Sequence, residues 1–423
     1  MQLTHLSLTH FRNFTRLDID LPGGSVLLVG GNAQGKTSLL ESIYYLATFT
    51  SFHASQDRQL ISFLLEREPI AVARINAEFQ FTGGQPVRKT QKMEVRLITE
   101  RDEFGNARFR KEILLNGAGC RVGQAIGAFN AVLFLPHMVR IVDGSPEERR
   151  RYLNLSLGQV APNYATDLTD YNKVLTQRNA LLKLLNERRG DADQLRFWDE
   201  QLAQLGARII HARIQAIHEL DRLAARFHLE FTQGQEVLRL DYFPSFDPLP
   251  VTPLQYSLPI KAPVDRSSQS MEQIRDRFLE RLLQIRSDEI QRGVTTIGPH
   301  RDELRFFSNG IDLGIYGSRG QGRTAVLSFK FAEVEWMKQK TGQMPVLLLD
   351  EVLAELDPVR RADLLTRTAQ SEQALLTTTD LDLFPNVYLR ESRVWQINAG
   401  QVWSQPQADA LKGPPLDEDK DPA

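Results

Sequence analysis

The sequence predicts an α/β fold that is interrupted by a helical insertion. Two short apolar runs, at 25–29 and 346–349, are typical of strands that are buried on both faces of a sheet. A glycine-rich loop follows the first run and leads into a helical pattern. Between residues 146–290 the apolar residues repeat mainly at helical spacing. We therefore expect an α/β head in two segments, 1–145 and 291–402, with an α-helical arm between them.

The first segment has the pattern of strands, a loop and a helix. Apolar and polar residues alternate at 3–8 and 17–21, as in strands with one buried face. From Lys36 the apolar residues recur every three or four positions, which predicts a helix. Strands of an antiparallel sheet are expected further along, at 70–81, 92–98 and 112–115.

The insertion predicts an antiparallel helical hairpin. Over 168–185 its apolar residues follow a heptad frame, and Arg178 interrupts this apolar seam. After a polar loop at 186–194, a second apolar series follows over 195–216. At 1.5 Å per residue, these arms would be about 30 to 50 Å long. A Pro-rich stretch at 243–263 follows, and then an amphipathic helix over 271–285.

The last segment returns to strand patterns. Residues 303–307 and 311–313 flank a Ser-Asn-Gly turn at 308–310, which is typical of a hairpin. The tail at 403–423 is rich in Pro, Asp, Lys and Ala without periodicity. We expect this tail to be disordered.

Composition and charge exclude several classes of protein. The chain has 423 residues, with 51 Lys and Arg against 53 Asp and Glu, so any DNA contact must come from a local patch. Its one cysteine, Cys120, cannot form an internal disulfide, which fits a reducing cytosol. The N-terminus lacks the pattern of a signal peptide, and no apolar run is long enough to span a membrane. We therefore expect a cytoplasmic protein without a membrane partner.

A phosphate-binding loop follows the first buried strand. Eight residues match the pattern G-x-x-x-x-G-K-[ST] between a strand and a helix. Glycines let backbone N–H groups approach phosphate oxygens, and the helix N-terminus adds partial positive charge. The lysine would bind the terminal phosphates and the threonine hydroxyl would bind Mg²⁺. Because no Asn-Lys-x-Asp motif for guanine is present, the loop predicts ATP binding by Gly30, Gly31, Asn32, Ala33, Gln34, Gly35, Lys36 and Thr37.

Two acidic residues end the second buried strand. Asp350 would hold Mg²⁺ through water, as the aspartate after such a strand does in P-loop ATPases. Glu351 could accept a proton from the attacking water. Lys36, Asp350 and Glu351 are therefore the candidate catalytic residues. Alone, the two acids could equally begin a helix, where they favour its positive end; the phosphate-binding loop favours the catalytic interpretation.

A second glycine-rich helix start lies at 317–323. This helix N-terminus is also suited to binding an anion. Because the first loop would already bind one nucleotide, the phosphate at the second helix start could come from the nucleotide of a second subunit. An ordinary helix cap, with Ser318 as the capping residue, explains the same residues. The residues alone leave both interpretations open.

In this order, the motifs resemble those of ABC-type ATPase heads of the SMC kind, and more closely those of the RecF family of bacterial recombination mediators. The resemblance covers about residues 1–385. It rests on the loop and the acidic pair together with Phe11-Arg12-Asn13-Phe14, Gly144-Ser145-Pro146 running into Arg149-Arg150-Arg151, Gly298-Pro299-His300-Arg301-Asp302, Ser318 to Arg323 and Glu355-Leu356-Asp357.

The resemblance implies an ABC-type P-loop NTPase head with an inserted helical arm, and an ATP-dependent head-to-head homodimer. Each nucleotide would lie between the loop of one subunit and the signature helix of the other. Ser318, Gly320 and Gln321 would then contact the γ-phosphate bound by the partner. Arg12 and Asn13 would lie on the adenine side of the nucleotide.

The resemblance also implies a role in recombinational DNA repair, replication and the SOS response. The protein would bind gapped DNA or single-strand/duplex junctions and help RecO and RecR load the RecA recombinase. ABC heads usually carry a histidine after the last core strand, where this chain has Thr379 as a weaker γ-phosphate sensor. We therefore expect slow hydrolysis, a weak DNA-stimulated ATPase at most, that resets the dimer. In the signature, Arg319 and Gly322 replace two glutamines of the family pattern.

Four basic groups are candidates for DNA contact, and other functions remain as alternatives. From the residues alone, solvated faces balanced by acidic residues are the favoured explanation of these groups; DNA binding through them would be salt-sensitive. The alternatives in function are an ABC-headed nucleic-acid-processing enzyme, another SMC-like repair ATPase, or a scaffold, against which the complete catalytic set argues. The basic groups are Arg149 to Arg151, Arg188 with Arg189, Arg208 with Arg213, and Arg88 with Lys89 and Lys92.

Overall fold

Two six-stranded sheets and one three-stranded sheet organise the chain in a computed structural model. The structure describes residues 1–81, 90–102, 106–249 and 264–404. Several predicted features lie outside these residues: the loop with Arg88 and Lys89, most of the Pro-rich stretch, and the tail after residue 404. Within them, no helix has the length and apolar character that crossing a membrane requires.

The described residues form fifteen strands. In chain order they are β1 (Gln2–Phe11), β2 (Phe14–Asp20), β3 (Gly24–Val29), β4 (Ile70–Gln80), β5 (Thr90–Arg101), β6 (Ala107–Leu115), β7 (Ala118–Cys120), β8 (Ala131–Phe134), β9 (Leu238–Phe243), β10 (Glu303–Ser308), β11 (Ile311–Asp312), β12 (Val346–Asp350), β13 (Gln373–Thr378), β14 (Arg393–Asn398) and β15 (Gln401–Ser404).

They also form twelve α-helices, besides short 3₁₀ turns. In chain order these are α1 (Lys36–Thr48), α2 (Val122–Ala125), α3 (Arg140–Asp143), α4 (Pro146–Val160), α5 (Tyr164–Asn186), α6 (Leu195–Phe231), α7 (Met271–Gln284), α8 (Arg286–Arg292), α9 (Leu313–Tyr316), α10 (Arg319–Thr341), α11 (Pro358–Ala369) and α12 (Asn386–Glu391).

The first of two compact units contains both six-stranded sheets and comprises Met1–Arg121, Phe129–Pro136 and Gln343–Ala423. One sheet has the order β15-β14-β3-β13-β12-β8, and its strands are parallel except for β15. Every residue of β12 and β13 is buried, and each strand has an apolar run, at 346–349 and 374–376, as expected of strands covered on both faces. The other sheet, β2-β1-β4-β5-β6-β7, is antiparallel throughout, as the alternating pattern predicts.

The second unit contains the helical arm and comprises Val122–Ala128 and His137–Gly342. Helices α5 and α6 form the predicted hairpin, and α7 and α10 pack along α6. The 37 residues of α6 make it about 56 Å long, which exceeds the predicted arm because the helix continues to Phe231. The unit extends beyond the predicted arm, 146–290, and includes α10, the predicted signature helix, which packs on α6.

Arg178, which interrupts the apolar seam of the hairpin, is fully buried with its partners. Its Nε donates to Asp199 at 2.8 Å, its Nη1 donates to Thr295 at 2.7 Å, and its Nη2 lies 2.7 Å from a Glu289 oxygen. A buried charge that is both paired and hydrogen-bonded is tolerated in a core. The seam is therefore interrupted by an ion-pair cluster.

Only the end of the predicted hairpin at 303–313 differs from the expectation. Strands β10 and β11 pair across Asn309 and Gly310, both at positive φ, as the turn predicts. Leu313, however, begins the short helix α9 and does not extend the strand. The Asp312 side chain accepts from the Gly314 N–H at 2.9 Å and caps that helix.

Candidate phosphate-binding site

The glycine-rich loop joins the carboxyl end of β3 to the N-terminus of α1, as the sequence predicts. Gly30 lies so close to the neighbouring strand β14 that a Cβ added there would be 2.2 Å from the carbonyl oxygen of Ile397. Gly35 has a φ of 116°, which L side chains rarely adopt. Both ends of the loop therefore require glycine for reasons visible in the backbone.

The loop turns its backbone and its lysine toward the helix start. Asn32 and Ala33 are exposed, and Ala33 has a φ of 61°. Gly35, the residue before α1, has no side chain that could cap the helix. The N–H groups of the first turn of α1 are therefore suited to binding an anion. The Lys36 ammonium donates to the carbonyl oxygens of Gly30 and Gly31 at 2.8 and 2.9 Å.

Gln34 fastens the loop to the rest of the unit. Its side-chain oxygen accepts from the Ala399 N–H at 2.7 Å, and its carbonyl accepts from the Gly400 N–H at 3.0 Å. The Asn13 amide donates to the same carbonyl at 3.1 Å. Gln34 and Asn13 thus hold the loop against the turn between β14 and β15.

Thr37, Asp350 and Thr377 form one hydrogen-bonded group at the carboxyl ends of the parallel strands. The Thr37 hydroxyl lies 2.9 and 3.0 Å from the two Asp350 carboxylate oxygens, and the Thr377 hydroxyl donates to Asp350 at 2.8 Å. Burial raises the pKa of Asp350 above its ordinary value, although both hydroxyls oppose that shift. The structure therefore brings the two predicted Mg²⁺ ligands together.

Glu351 follows Asp350 in a backbone conformation that is unusual for a residue with a side chain. Its φ is 48°, its N–H donates to the Thr377 hydroxyl at 2.9 Å, and its carboxylate lies 3.2 Å from the Lys36 ammonium. Positive φ at such a residue costs free energy and is found preferentially at functional sites. All three candidate catalytic side chains thus lie around the start of α1.

A cavity of about 480 Å³ extends from the loop. Besides the loop and Glu351, it is lined by Arg12, Asn13, Gln59, Ile61 and Phe63. The predicted adenine-side residues therefore lie on the same cavity as the phosphate-binding loop.

Arg12 is fixed by a carboxylate that the sequence did not single out. Its Nε and Nη2 donate to the two oxygens of Glu41 at 2.8 and 2.9 Å, and the Ser51 hydroxyl also donates to Glu41. Such a bidentate pair orients the guanidinium plane. Because Glu41 is on α1, the helix that begins with the loop also positions Arg12.

The remaining predicted nucleotide ligands lie elsewhere. Thr379 is exposed directly after β13 and is not among the residues that line the cavity. Ser318, Gly320 and Gln321 belong to the second unit, at the start of α10. There the Ser318 hydroxyl accepts from the Gln321 N–H at 3.2 Å and the Gln321 side chain accepts from the Ser318 N–H at 3.1 Å. Ser318 is thus a helix cap; its contact with phosphate stays a prediction.

Two of the arginines proposed to contact DNA cannot do so, and those predictions are wrong. Arg149 is buried and pairs with Glu303 through two hydrogen bonds of 2.7 and 2.9 Å. Arg213 is also buried, and it pairs with Asp302 at 3.0 Å. Five other candidates are exposed, and their contact with DNA stays a prediction: Lys92, Arg151, Arg188, Arg189 and Arg208.

The Gly-Pro-His-Arg-Asp motif has a structural role in the second unit. Asp302 is buried and accepts hydrogen bonds from Arg213, from Tyr242 and from the Ser245 N–H. The His300 ring lies 2.8 Å from the Tyr171 hydroxyl, and burial lowers the pKa of His300 to about 4. The motif thus anchors β9 and the arm helices to one another.

Sequence reasoning missed Thr377 and Glu41 as parts of the site. The contact between Thr377 and Asp350 spans 27 positions of sequence. The signal for Thr377 is its hydroxyl near the carboxyl end of β13, the strand that lies between β3 and β12 in the sheet.

Comparison with known proteins agrees with the geometry. Residues 2–398 match the family model described as the RecF/RecN/SMC N-terminal domain. The chain is 37% identical over 413 residues to the DNA replication and repair protein RecF of Roseiflexus castenholzii, which covers 95% of this chain and 100% of the relative. It is 36% identical over 403 residues to RecF of Enterococcus faecalis, with 95% and 98% covered.

Solved structures give the same result. A structure of the recombination mediator protein RecF with ATP, in the RecFOR pathway, is 30% identical, covers 96% of this chain and 97% of that chain, and has a TM-score of 0.77. The fold is therefore that of an ABC-type ATPase head with an inserted helical arm. On these matches, the chain belongs to the RecF family of DNA replication and repair proteins.

Proposed function

We propose that this protein is an ATP-switched, DNA-binding mediator of recombinational repair that acts as a head-to-head homodimer. The observation that carries the proposal is the convergence of Lys36, Thr37, Asp350 and Glu351 at the N-terminus of α1. ATP would join two subunits by lying between the loop of one and the signature helix of the other. Hydrolysis would then reset the dimer.

The residues at the loop suit Mg²⁺ and a triphosphate. The Thr37 hydroxyl and the Asp350 carboxylate are oxygen ligands of the kind that Mg²⁺ prefers, and they lie within 3.0 Å of each other. A bound Mg²⁺ ion would neutralise phosphate charge. Lys36 would hold the terminal phosphates, and Glu351 would accept the proton of the attacking water. Arg12 and Asn13 would bound the adenine side.

The relatives support the DNA and protein partners in this proposal. RecF relatives are DNA replication and repair proteins, and the solved RecF structures belong to a RecFOR pathway. By this relationship the protein would bind gapped DNA or single-strand/duplex junctions in the cytoplasm. There it would help RecO and RecR load RecA and support the SOS response.

Hydrolysis should be slow. The position after β13, where ABC heads usually carry a histidine, is occupied here by Thr379. A hydroxyl orients a phosphate but cannot take the charge of an imidazolium. We expect single-turnover hydrolysis far below ten per second, and turnover in the tens per second by the purified protein would contradict the proposal.

The test is sedimentation velocity with ATP, ADP or no nucleotide, with and without gapped DNA. Wild type is compared with Glu351→Gln, which keeps the shape of the side chain but removes the base. Glu391→Gln, an exposed change at the end of α12 and outside these motifs, is the matched control. We expect Glu351→Gln to accumulate as a dimer with ATP only. If this variant stays monomeric with ATP, the shared nucleotide site does not exist.

A further inference from the structure

Gln321, in the predicted signature motif, has both ends of its side-chain amide hydrogen-bonded inside its own unit. Its amide oxygen accepts from the Ser318 N–H at 3.1 Å, and its amide nitrogen lies 3.3 Å from a carboxylate oxygen of Glu236. An amide held at both ends is a poor candidate for direct contact with a phosphate. It is well placed to hold the helix cap rigid, since the same cap carries the Ser318 hydroxyl.

Glu236 is the point at which three elements meet. It follows α6 in the turn toward β9, and besides Gln321 it accepts from the Ser308 hydroxyl at the end of β10 at 2.7 Å. The oxygen that accepts from Ser308 also lies 3.3 Å from Nε2 of the His228 ring. Burial raises the pKa of Glu236, but these donors outweigh burial and hold the pKa below its ordinary value. Glu236 is therefore an ionised acceptor.

His228 ties this carboxylate to the signature helix a second time. The ring is completely buried near the end of α6, and its Nδ1 lies 3.1 Å from the Ser328 hydroxyl of α10. Ser328 donates in turn to the Thr324 carbonyl of the same helix at 2.7 Å. The end of the long arm helix and the first turns of the signature helix thus share one polar network.

We propose that Glu236 is a positioning residue for the signature motif: its carboxylate holds the Gln321 amide, and through it the Ser318 hydroxyl and the first turn of α10, in the geometry that receives the nucleotide of a second subunit. The inference rests on the proposed function. In this inference, Gln321 stabilises the helix cap and is itself fixed by Glu236. Contact with phosphate is assigned to Ser318 and to the N–H groups of Arg319 and Gly320. Because α6 supplies His228, the network also links the arm to the nucleotide interface.

The test uses the full chain in the Glu351→Gln background, so that ATP is not consumed. Glu236→Gln keeps the size of the side chain but replaces one acceptor oxygen by a donor, which then faces either Gln321 or the Ser308 and His228 pair. Losing a hydrogen bond to a charged group costs about tenfold or more per site. Since a head-to-head dimer has two such sites, we expect its dissociation constant with ATP to rise about a hundredfold.

Two further measurements separate positioning from a general loss of structure. Binding of a fluorescent ATP analogue to the monomer depends on its own phosphate-binding loop and should stay near the value of the background. Thermal unfolding reports the fold; it should remain one cooperative transition above the assay temperature, with a midpoint lowered only as far as the loss of one hydrogen bond predicts. Glu230→Gln, an exposed change on the last turn of α6, is the matched control and should leave dimerisation unchanged.

The swap Glu236→Gln with Gln321→Glu is the sharpest variant. It restores a donor facing an acceptor, and it places Glu at the position where a capping box commonly has one. We expect the swap to recover dimerisation that each single change weakens. Absence of recovery would overturn the positional role, and so would equal dimerisation of Glu236→Gln and its background. Failure of the background itself to dimerise with ATP would overturn the proposed function and this inference together.

Discussion

Only one of two neighbouring glycines of the phosphate-binding loop should be sensitive to replacement by alanine. A Cβ at Gly30 would lie 2.2 Å from the Ile397 carbonyl oxygen, although real Cβ atoms essentially never come closer than 3.0 Å. The loop or β14 must therefore shift by about 0.8 Å. A displacement on the order of 1 Å in a positioned site costs about a hundredfold, which corresponds to about 2.7 kcal/mol. We expect Gly30→Ala to weaken ATP binding by about that factor.

Gly31→Ala is the matched control, because its Cβ would meet nothing nearer than the Gln34 side chain at 3.8 Å, an ordinary contact. The assay is equilibrium titration with a fluorescent ATP analogue, alongside thermal unfolding. Overpacking at Gly30 should also lower the free energy of unfolding by about 1–3 kcal/mol. The reasoning is refuted if Gly30→Ala binds the analogue like wild type, or if both variants weaken binding equally.

Three further predictions concern buried polar groups. Thr377→Val keeps the shape but leaves Asp350 without one donor, so we expect a loss of about 1–3 kcal/mol in unfolding free energy and a slower single turnover of ATP; unchanged turnover would contradict this role. Arg178→Met removes the cation beside the buried Glu289 and one of the two arginines at Asp199, which keeps Arg286, and should cost about 3–5 kcal/mol in urea unfolding. Arg196→Met, at an exposed pair, should cost less than about 1 kcal/mol, and similar losses would refute the distinction. His300 has a folded pKa of about 4, below its unfolded value near 6.5, so the unfolded chain binds the proton first and stability falls as pH drops from 6.5 to 4. His300→Asn should reduce that fall by about 3 kcal/mol, and an identical pH profile in both proteins would count against it.

The sequence was sufficient for features that depend on local pattern. The strand, loop and helix around Lys36 were predictable because the period of apolar residues changes there. The hairpin of α5 and α6 was predictable for the same reason, and the interruption at Arg178 was visible as well. Their bounds depend on how each element ends, which explains why α6 was placed too short.

Features that depend on contacts between distant segments were not predictable. Arg149 and Arg213 have the same sequence character as exposed arginines, and only their acidic partners 154 and 89 positions away bury them. Glu236 and Gln321 are separated by 85 positions, and no periodicity joins them. The two compact units could not be delimited either, because the packing of α10 on α6 is a property of the folded chain.

The ammonium of Lys36 has a consequence for the order of events at the site. It has three protons, and its acceptors are the carbonyls of Gly30 and Gly31 together with the Glu351 carboxylate at 3.2 Å. A terminal phosphate that accepts from Lys36 must displace one of these acceptors. Glu351 is the acceptor on a rotatable side chain and not on the backbone. Under the proposed function, we therefore expect arrival of the phosphate to free the carboxylate that would take a proton from water. Glu351 would then stay paired with Lys36 until the nucleotide is bound, and its carboxylate would become available for hydrolysis only after binding.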